Sequence, residues 1–213
     1  DRVVIVGAGQ AGFACAAKLR QLGFSGALTL IGDEGVAPYQ RPPLSKAYLL
    51  GKLEPERLAF RAPDFFAQQA IDLRVNEAVL AIDPASRHIM TDANRHAYDH
   101  LVLVTGARPI ELPAGVRGDV RNIFYLRTKA DADRLRPMLA DGVRLLVVGG
   151  GYVGLEVAAA ARQAGATVTL VEMAPRILSR VAAEPTANHL RDLHTSQGVA
   201  VREAVGLAAL TVD

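Results

Sequence analysis

Cysteine is almost absent from this chain of 213 residues, which contains Cys15 alone. A single thiol cannot form a disulfide within the chain, and such usage is typical of a reducing compartment. No apolar run approaches the roughly 20 residues that span a bilayer. Lys and Arg are scattered, and the formal net charge is only +2. We therefore expect a cytoplasmic protein that binds neither a membrane nor a nucleic acid.

Metal-ligand spacing is also missing, because no group of His, Cys and carboxylate residues follows a known ligand pattern. The histidines lie in strand, turn and helix contexts where the sequence suggests no partner; they are His88, His96, His100, His189 and His194. We therefore predict no metal site. With 50% hydrophobic residues, the chain can bury a core and form one or two domains.

What the sequence does contain is a glycine-rich loop that occurs twice, each time between an apolar strand and a helix. The first loop, Gly7–Gly12, follows Val3–Val6, and the second, Gly149–Gly154, follows Leu145–Val148. In such loops the first glycine permits a tight turn, the second admits a pyrophosphate, and the third lets helix and strand pack closely. The strand–loop–helix context of both copies predicts two dinucleotide sites, with phosphates at helix N-termini. The loop residues assigned to these sites are Gly7, Gly9, Gly12, Gly149, Gly151, Tyr152, Val153 and Gly154.

Each loop leads to a second apolar strand that ends in an acidic residue. Asp33 and Glu34 follow Leu28–Ile31, and Glu172 follows Thr167–Val171. A carboxylate at this position accepts hydrogen bonds from an adenosine ribose, with Asp33 or Glu34 as candidates in the first copy. Glu172 would repel a 2′-phosphate, which favours NAD over NADP; a surface acid at a strand end is the alternative for each. Two dinucleotides on one protein indicate hydride transfer between a nicotinamide and a flavin.

The repeated βαβ pattern predicts an α/β fold with two Rossmann-like FAD/NAD(P)-binding units in a three-layer ββα arrangement. Residues 35–60 are rich in proline and predict an irregular connection. Residues 71–104 predict a β-meander insertion of three strands that returns to the first sheet through Leu101–Val104. The strands expected in this run are Ile71–Val75, Glu77–Ile82, Arg87–Thr91 and Tyr98–Val104.

A segment between the loops, Tyr39–Lys46, is more distinctive than either loop and reads Tyr-Gln-Arg-Pro-Pro-Leu-Ser-Lys. Together with other segments it runs in one order along nearly the whole chain: Gly7–Gly12, Leu103–Pro109, Tyr125–Thr128, Gly149–Glu156 and Val171–Leu178. In these segments the chain resembles the FAD-dependent, NADH-using ferredoxin and rubredoxin reductases of bacterial oxygenase systems. This is the putidaredoxin reductase-like family, which is related to apoptosis-inducing factor.

The resemblance implies that the first loop binds FAD and the second binds NADH. It implies an NAD domain inserted in an FAD domain. The N-terminal part of the FAD domain is then residues 1–110, a crossover linker covers 111–127, and an incomplete NAD-binding domain covers 128–213. Because a βαβ unit needs more strands to close its sheet, we expect the chain to be truncated, a part of a longer protein.

The resemblance also assigns FAD contacts in the first domain. Ala11 and Asp33 would contact the adenosine half of FAD, with Val79 beside the adenine. Thr105 and Gly106, in the Thr-Gly-Ala-Arg-Pro motif, would also bind this cofactor. The family has an arginine directly after the proline of that motif, whereas this chain has isoleucine there; the neighbouring Arg108 is a substitute of undefined role.

Three cations and one carboxylate form the implied reaction site. Arg41, Lys46 and Arg127 would face the FAD, where a cation stabilises the charge that appears on reduction. Lys46 and Glu156 would form a catalytic pair beside the flavin, where the nicotinamide stacks. From the residues alone, Arg41 and Lys46 would be solvated loop charges, and Glu156 would suit the first turn of the second helix.

Two arginines beyond Glu172, Arg176 and Arg180, are candidates for the NAD phosphates, with solubilising helix-end charges as the alternative. Relatives that reduce disulfides or peroxides place reactive cysteines just after the first unit. Pro42–Tyr48 has none, and Cys15 lies mid-helix as a packing residue. Electrons must therefore leave for an external acceptor.

The resemblance implies an iron–sulfur ferredoxin or rubredoxin as that acceptor, serving an oxygenase, and a monomer or weak dimer. Arginines such as Arg41 and Arg61 would form the docking face for an acidic partner. Two alternatives remain: an NADH-binding flavoprotein like apoptosis-inducing factor, or another NADH–flavin oxidoreductase with a different acceptor.

Overall fold

The protein, described here by a computed structural model of residues 1–211, divides by its contacts into two compact units. The first unit comprises Asp1–Gln40 and Pro55–Arg108. The second comprises Arg41–Glu54 and the described residues from Pro109 onward. Each unit contains one of the two glycine loops. The segment Arg41–Glu54 therefore packs with the second unit, although in sequence it interrupts the first.

Both predicted βαβ units are present. The strands in chain order are β1 (Arg2–Val6), β2 (Ala27–Ile31), β3 (Ile71–Arg74), β4 (Val79–Asp83), β5 (His88–Thr91), β6 (Arg95–Ala97), β7 (His100–Leu103), β8 (Arg144–Val148), β9 (Thr167–Val171) and β10 (Val199–Arg202). The helices are α1 (Gln10–Gln21), α2 (Phe65–Gln68), α3 (Ala114–Arg117), α4 (Lys129–Leu135), α5 (Tyr152–Gln163) and α6 (Glu184–Ser196), with 3₁₀ helices at Pro42–Ser45, Pro55–Leu58 and Arg136–Met138. Within residues 1–211, every helix is too short or too polar to cross a bilayer.

The main sheet of the first unit has the strand order β3-β2-β1-β7, and all its neighbours are parallel. Successive residues of β1 face opposite sides of this sheet. Ile5 belongs to the cluster that contains Phe13 of α1, whereas Val4 belongs to the cluster that contains Ile89 of β5. The helix thus covers one face and the meander the other, which gives the predicted three-layer arrangement.

The meander consists of β4, β5 and β6, paired antiparallel. The prediction that Ile71–Val75 opens the meander is wrong, because β3 pairs in parallel with β2 as the edge of the main sheet. A short alternating strand has the same side-chain period in either kind of sheet, so its pattern could not decide the partner. The third meander strand, β6, is short and carries Arg95 and His96, so it gave no strand signal. The predicted return through Leu101–Val104 is confirmed by the pairing of β7 with β1.

Glu77 lies just before β4 and is buried, with 7% of its surface exposed. Its carboxylate accepts hydrogen bonds from Thr91 (3.1 Å), Asn94 (3.0 Å) and His96 (2.8 Å). The expectation that the histidines have no partners is therefore wrong for His96, whose partner is 19 residues away across the meander. Burial raises the pKa of Glu77, but the hydrogen bonds from these three side chains outweigh it and hold the pKa below its ordinary value.

The sheet of the second unit has the order β10-β9-β8, again all parallel. Its core combines small residues of α5, such as Ala158 and Ala161, with Leu170 of β9. Leu49, from the segment Arg41–Glu54, is also part of this core and is 2% exposed. The segment is therefore anchored in the second unit by a buried side chain.

An arginine at the same distance from the third loop glycine closes a turn in each unit. Arg20 lies at the end of α1 and Arg162 at the end of α5. Each donates both to the turn that follows its helix and to the turn before the third strand of its sheet. The carbonyl acceptors are those of Phe24, Gly26, Gln69 and Ala70 for Arg20, and of Ala166 and Gln197 for Arg162. The duplication seen in the glycine loops thus extends to an arginine near the end of each following helix.

Glu77→Gln is expected to destabilise the first unit by about 1.5–3 kcal/mol, because it removes a buried carboxylate that accepts three hydrogen bonds. The pKa of Glu77 is lower in the folded than in the unfolded protein, so its stabilisation is complete above the unfolded-state pKa and is lost as the pH falls through the folded-state pKa. Thermal unfolding should show a smaller loss of stability between about pH 5 and about pH 3 for the variant than for the parent. Equal losses would contradict the prediction.

Candidate functional site

The first glycine loop is shaped by contacts that exclude side chains at two of its three glycines. Gly7 has a φ of +113°, and a Cβ there would lie 2.2 Å from the carbonyl oxygen of Val104. A Cβ on Gly12 would lie 2.0 Å from the carbonyl oxygen of Gly7. A Cβ on Gly9, by contrast, would meet no atom within 4 Å. The loop is therefore closed where helix meets strand and open at its second glycine.

The second loop repeats the close approach at its third glycine and the opening at its second, although a Cβ on its first glycine, Gly149, would meet no atom within 4 Å. Gly149 has a φ of +109°, and a Cβ on Gly154 would lie 2.0 Å from the Gly149 carbonyl oxygen. A Cβ on Gly151 would meet no atom within 4 Å. Both loops thus leave a space at the second glycine, which is where a pyrophosphate lies in glycine loops of this kind.

The helices that follow the two loops begin without a capping side chain, and neither has an acidic residue in its first turn. This differs from α4, which begins with a capping box formed by Thr128 and Asp131. First-turn N–H groups have no acceptor within their own helix. An anion is the partner that the N-termini of α1 and α5 can take up, so the residues present fit two dinucleotide pyrophosphates.

The acidic residues predicted to bind ribose lie where the strands end. Asp33 is exposed, and Glu34 accepts a hydrogen bond of 2.6 Å from the buried hydroxyl of Tyr39. Glu172 accepts hydrogen bonds from the backbone N–H groups of Gly150 and Ala174, both at 2.7 Å. Its carboxylate is thereby fixed against the second glycine loop. Sequence reasoning placed Glu172 correctly at the strand end but gave no signal for these backbone bonds.

The other residues assigned to FAD belong to the first unit. Because β1 and β7 are parallel, Ala11 in the loop after β1 and Thr105 and Gly106 after β7 lie at the same edge of the sheet. These three residues are exposed, and Gly106 has a φ of +75°. Val79 lies in β4 and packs against the inner cluster of the meander. The assignment of these residues to a cofactor stays a prediction.

The implied pair of Lys46 and Glu156 is present as an ion pair within the second unit. Lys46 Nζ lies 2.7 Å from Glu156 Oε1, and the buried Ser45 donates a hydrogen bond of 2.5 Å to Oε2. Lys46 also donates to the carbonyl oxygen of Pro42 at 3.2 Å. Both carboxylate oxygens are thus held by the segment Arg41–Glu54. Sequence reasoning missed Ser45, for which its place directly before the lysine was the only signal.

Glu156 is the fifth residue of α5, not a first-turn residue as the sequence suggested, because the helix begins at Tyr152. The attraction of a helix N-terminus for a carboxylate falls off within the first turn. The ion pair with Lys46 and the hydrogen bond from Ser45, rather than the helix dipole, therefore fix the Glu156 carboxylate.

Arg41 and Arg127 also meet in the second unit. Arg41 Nη1 donates to the backbone carbonyl oxygen of Arg127 at 2.8 Å. Arg61, in the first unit, lies over the rings of Phe13 and Phe65 at 5.8 and 5.6 Å from their centroids. The roles of Arg41 and Arg127 at a cofactor, and of Arg41 and Arg61 in docking, stay predictions.

The two candidates for the NAD phosphates, Arg176 and Arg180, differ in the hydrogen bonds that they already form. The guanidinium of Arg176 donates to three backbone carbonyl oxygens of its own loop. Arg180 is exposed and has no hydrogen bond or ion pair to any other described residue. Of the two, Arg180 is therefore the side chain available to an anion.

Within residues 1–211, no three His, Cys, Asp or Glu side chains are grouped as metal ligands. Cys15 is partly buried in α1 and packs against the core of the first unit. The sequence has no cysteine in the segment Pro42–Tyr48. This chain therefore offers no internal thiol pair for redox chemistry.

The combination of two such loops on two Rossmann-like units agrees with a comparison to known families. The family model described as pyridine nucleotide-disulphide oxidoreductase matches residues 1–211. The chain belongs to this family. Members of the family use FAD and NAD(H), which are the two cofactors predicted from the sequence.

Similar members of the pyridine nucleotide-disulphide oxidoreductase family include electron-transfer reductases. Putidaredoxin reductase of Pseudomonas putida is 46% identical over 205 residues, which are 95% of this chain and 49% of that protein. Terpredoxin reductase of a Pseudomonas species is 42% identical over 202 residues, again 95% of this chain and 49% of that protein. The chain spans about half the length of these relatives.

The crystal structure of a covalent putidaredoxin reductase–putidaredoxin complex matches with a TM-score of 0.93 and 41% identity. The match covers 100% of this chain and 52% of the chain in that structure. These comparisons confirm both the resemblance drawn from the sequence motifs and the predicted fold class.

Gly154→Ala and Gly151→Ala form a matched pair that separates folding from binding. We expect Gly154→Ala to destabilise the second unit by about 1–3 kcal/mol, because its Cβ overlaps a backbone oxygen. Gly151→Ala should leave thermal stability unchanged but weaken NAD⁺ binding, since the new methyl occupies the open side of the loop. Differential scanning calorimetry and titration calorimetry on the full-length protein measure the two effects. NAD⁺ affinity unchanged in Gly151→Ala would contradict the assignment.

Proposed function

We propose that this chain is the nucleotide-binding part of an NADH-dependent ferredoxin or rubredoxin reductase that serves an oxygenase. The observation that carries the proposal is the duplicated loop, open at its second glycine and followed by an uncapped helix in both units. Two dinucleotides on one protein suit transfer between a nicotinamide and a flavin. The names of similar proteins, putidaredoxin reductase and terpredoxin reductase, support an iron–sulfur acceptor.

The two units take different cofactors in this proposal. The loop Gly7–Gly12 holds the pyrophosphate of FAD, and Asp33 or Glu34 binds its adenosine ribose. The loop Gly149–Gly154 holds the pyrophosphate of NADH, with Glu172 at the ribose. Arg180, which is exposed and near the end of the acid-bearing loop, is the proposed phosphate contact.

FAD, when bound, would supply the change from two-electron to one-electron transfer that a hydride donor and a one-electron iron–sulfur acceptor together require. Lys46 supplies a positive charge whose position is set by Glu156 and Pro42. Ser45 holds the second oxygen of Glu156, which opposes rotation of the carboxylate away from Lys46. The pair therefore presents an oriented charge without a large rearrangement, which is how fixed groups stabilise developing charge.

The acceptor is proposed to be a separate protein, because no cysteine lies in the segment Pro42–Tyr48 to receive electrons within the chain. A cytoplasmic location and a monomer or weak dimer complete the proposal. The single cysteine supports the reducing compartment.

Anaerobic titration of the full-length flavoprotein tests this function directly. We expect NADH to bleach the flavin absorbance with an apparent affinity at least about tenfold higher than that of NADPH, because Glu172 repels a 2′-phosphate. Glu172→Gln should narrow this preference, and it should also lower the thermal midpoint of the second unit, because one of the two backbone N–H groups that Glu172 accepts from would then face the amide NH2. A flavin that binds but stays oxidised with NADH would refute the reductase function.

Glu156→Gln tests the role of the ion pair. The amide keeps the size of the side chain but loses the charge that orients Lys46, so we expect NADH to reduce the flavin about tenfold or more slowly. Glu184→Gln, an exposed change on α6, is the matched control and should have no effect. Stopped-flow absorbance gives both rates. An unchanged rate in Glu156→Gln would remove the pair from the mechanism.

A further inference from the structure

The segment Arg41–Glu54 forms one hydrogen bond with α4 and one with the residue that precedes its N-cap. At its start, Arg41 donates to the carbonyl oxygen of Arg127, the residue before the N-cap of α4. Further along, the hydroxyl of Tyr48 donates to Oδ1 of Asp133 in α4 at 2.5 Å. Ser45 and Lys46, which hold Glu156, lie between these two attachments. The residues that hold the ion pair are therefore flanked by one contact with α4 and one with the residue before its N-cap.

Of the two hydrogen bonds, the one from Tyr48 comes from a buried side chain, since only 1% of the surface of Tyr48 is exposed. The second oxygen of Asp133 accepts from Lys129 Nζ at 2.7 Å, and that ammonium lies 5.7 Å from the centroid of the Tyr48 ring. Burial, and then the hydrogen bond to Asp133, raises the pKa of Tyr48. Burial raises the pKa of Asp133, but Lys129 and Tyr48 outweigh it and lower that pKa overall. At neutral pH the phenol is thus a donor to an ionised carboxylate, a strong type of hydrogen bond.

Asp133 is well suited to hold a neighbouring segment, because α4 is itself fixed. Its N-terminus is closed by the capping box of Thr128 and Asp131, and Ala132 and Leu135 are buried on its inner side. The side chain of Lys46, in contrast, is 51% exposed in its pair with Glu156. Ion pairs exposed to this degree contribute little to conformational stability. The ion pair therefore contributes little to holding the segment.

We propose that Tyr48 is a positioning residue whose hydrogen bond to Asp133 holds Ser45 and Lys46 against Glu156. Tyr48 acts through the ion pair and has no direct part in chemistry. The consequence of the inference for catalysis rests on the proposed reductase function, whereas its consequence for the segment does not. Nothing in the sequence motif Arg41–Lys46 points to a residue two positions beyond it with this role.

Tyr48→Phe removes only the hydroxyl and keeps the buried ring. In the full-length holoprotein we expect the limiting rate of flavin reduction by NADH to fall about tenfold to a hundredfold, as small misplacements of reacting groups do. The dissociation constant for NADH should stay unchanged. Amide hydrogen exchange in the segment Arg41–Glu54 should become faster, a readout that needs no NADH. Lys52→Gln, which removes an exposed 3.5 Å contact of the same segment with Gln163, is the control and should change none of these quantities.

A double-mutant comparison distinguishes positioning from general destabilisation. If Tyr48 acts through the ion pair, adding Tyr48→Phe to Glu156→Gln should slow flavin reduction little further. A fully additive loss, or a Tyr48→Phe variant with the parental rate and exchange, would overturn the inference. If Tyr48→Phe folds poorly, Asp133→Asn takes its place and should cause the same changes in the reduction rate and in hydrogen exchange. If NADH fails to reduce even the parent flavin, the proposed function fails, and the exchange measurement alone decides the role of Tyr48.

Discussion

The close approach of helix to strand at each glycine loop is the constraint on which the rest of the structure depends. Gly12 and Gly154 each bring a helical turn to within a Cβ's reach of the carbonyl of the first loop glycine. This contact places the uncapped N-terminus of the helix beside the second loop glycine, where an added Cβ would meet no other atom. The same packing places the carboxyl ends of the parallel strands, and the acids after them, at one edge. Binding geometry and core packing are therefore set by the same glycines.

Much of this could be predicted because it is local in sequence. The loops, their flanking strands and the acids that follow lie within about 30 residues of one another, the usual span of this fingerprint. The partner of β3 could not be predicted, since strand pairing depends on a tertiary choice that alternation in Ile71–Arg74 does not encode. The partners of Glu77 were hidden for the same reason, because two of them lie beyond β5, 17 and 19 residues from Glu77.

The candidate site shows the same limit more sharply. The ion pair of Lys46 and Glu156 was accessible through a resemblance to a family, whereas the partners of Ser45 and Tyr48 were not. These bonds join residues that are 111 and 85 positions apart in the chain. No sequence pattern around a serine or a tyrosine indicates that its hydroxyl will meet a carboxylate far away in the chain. Only the folded second unit shows that a short segment brings both hydroxyls to acidic partners.

The placement of Arg41–Glu54 has a further physical consequence. The first stretch of the first unit ends at Gln40, and the next begins at Pro55. The segment between them buries Leu49 in the core of the second unit. Residues that hold Glu156 are therefore stabilised by the folding of the second unit rather than the first. A substitution in the core around Phe13 should act on the first unit, whereas one around Leu49 should disturb both the second unit's core and its ion pair. Sequence proximity to the first loop thus misstates which unit supports these residues.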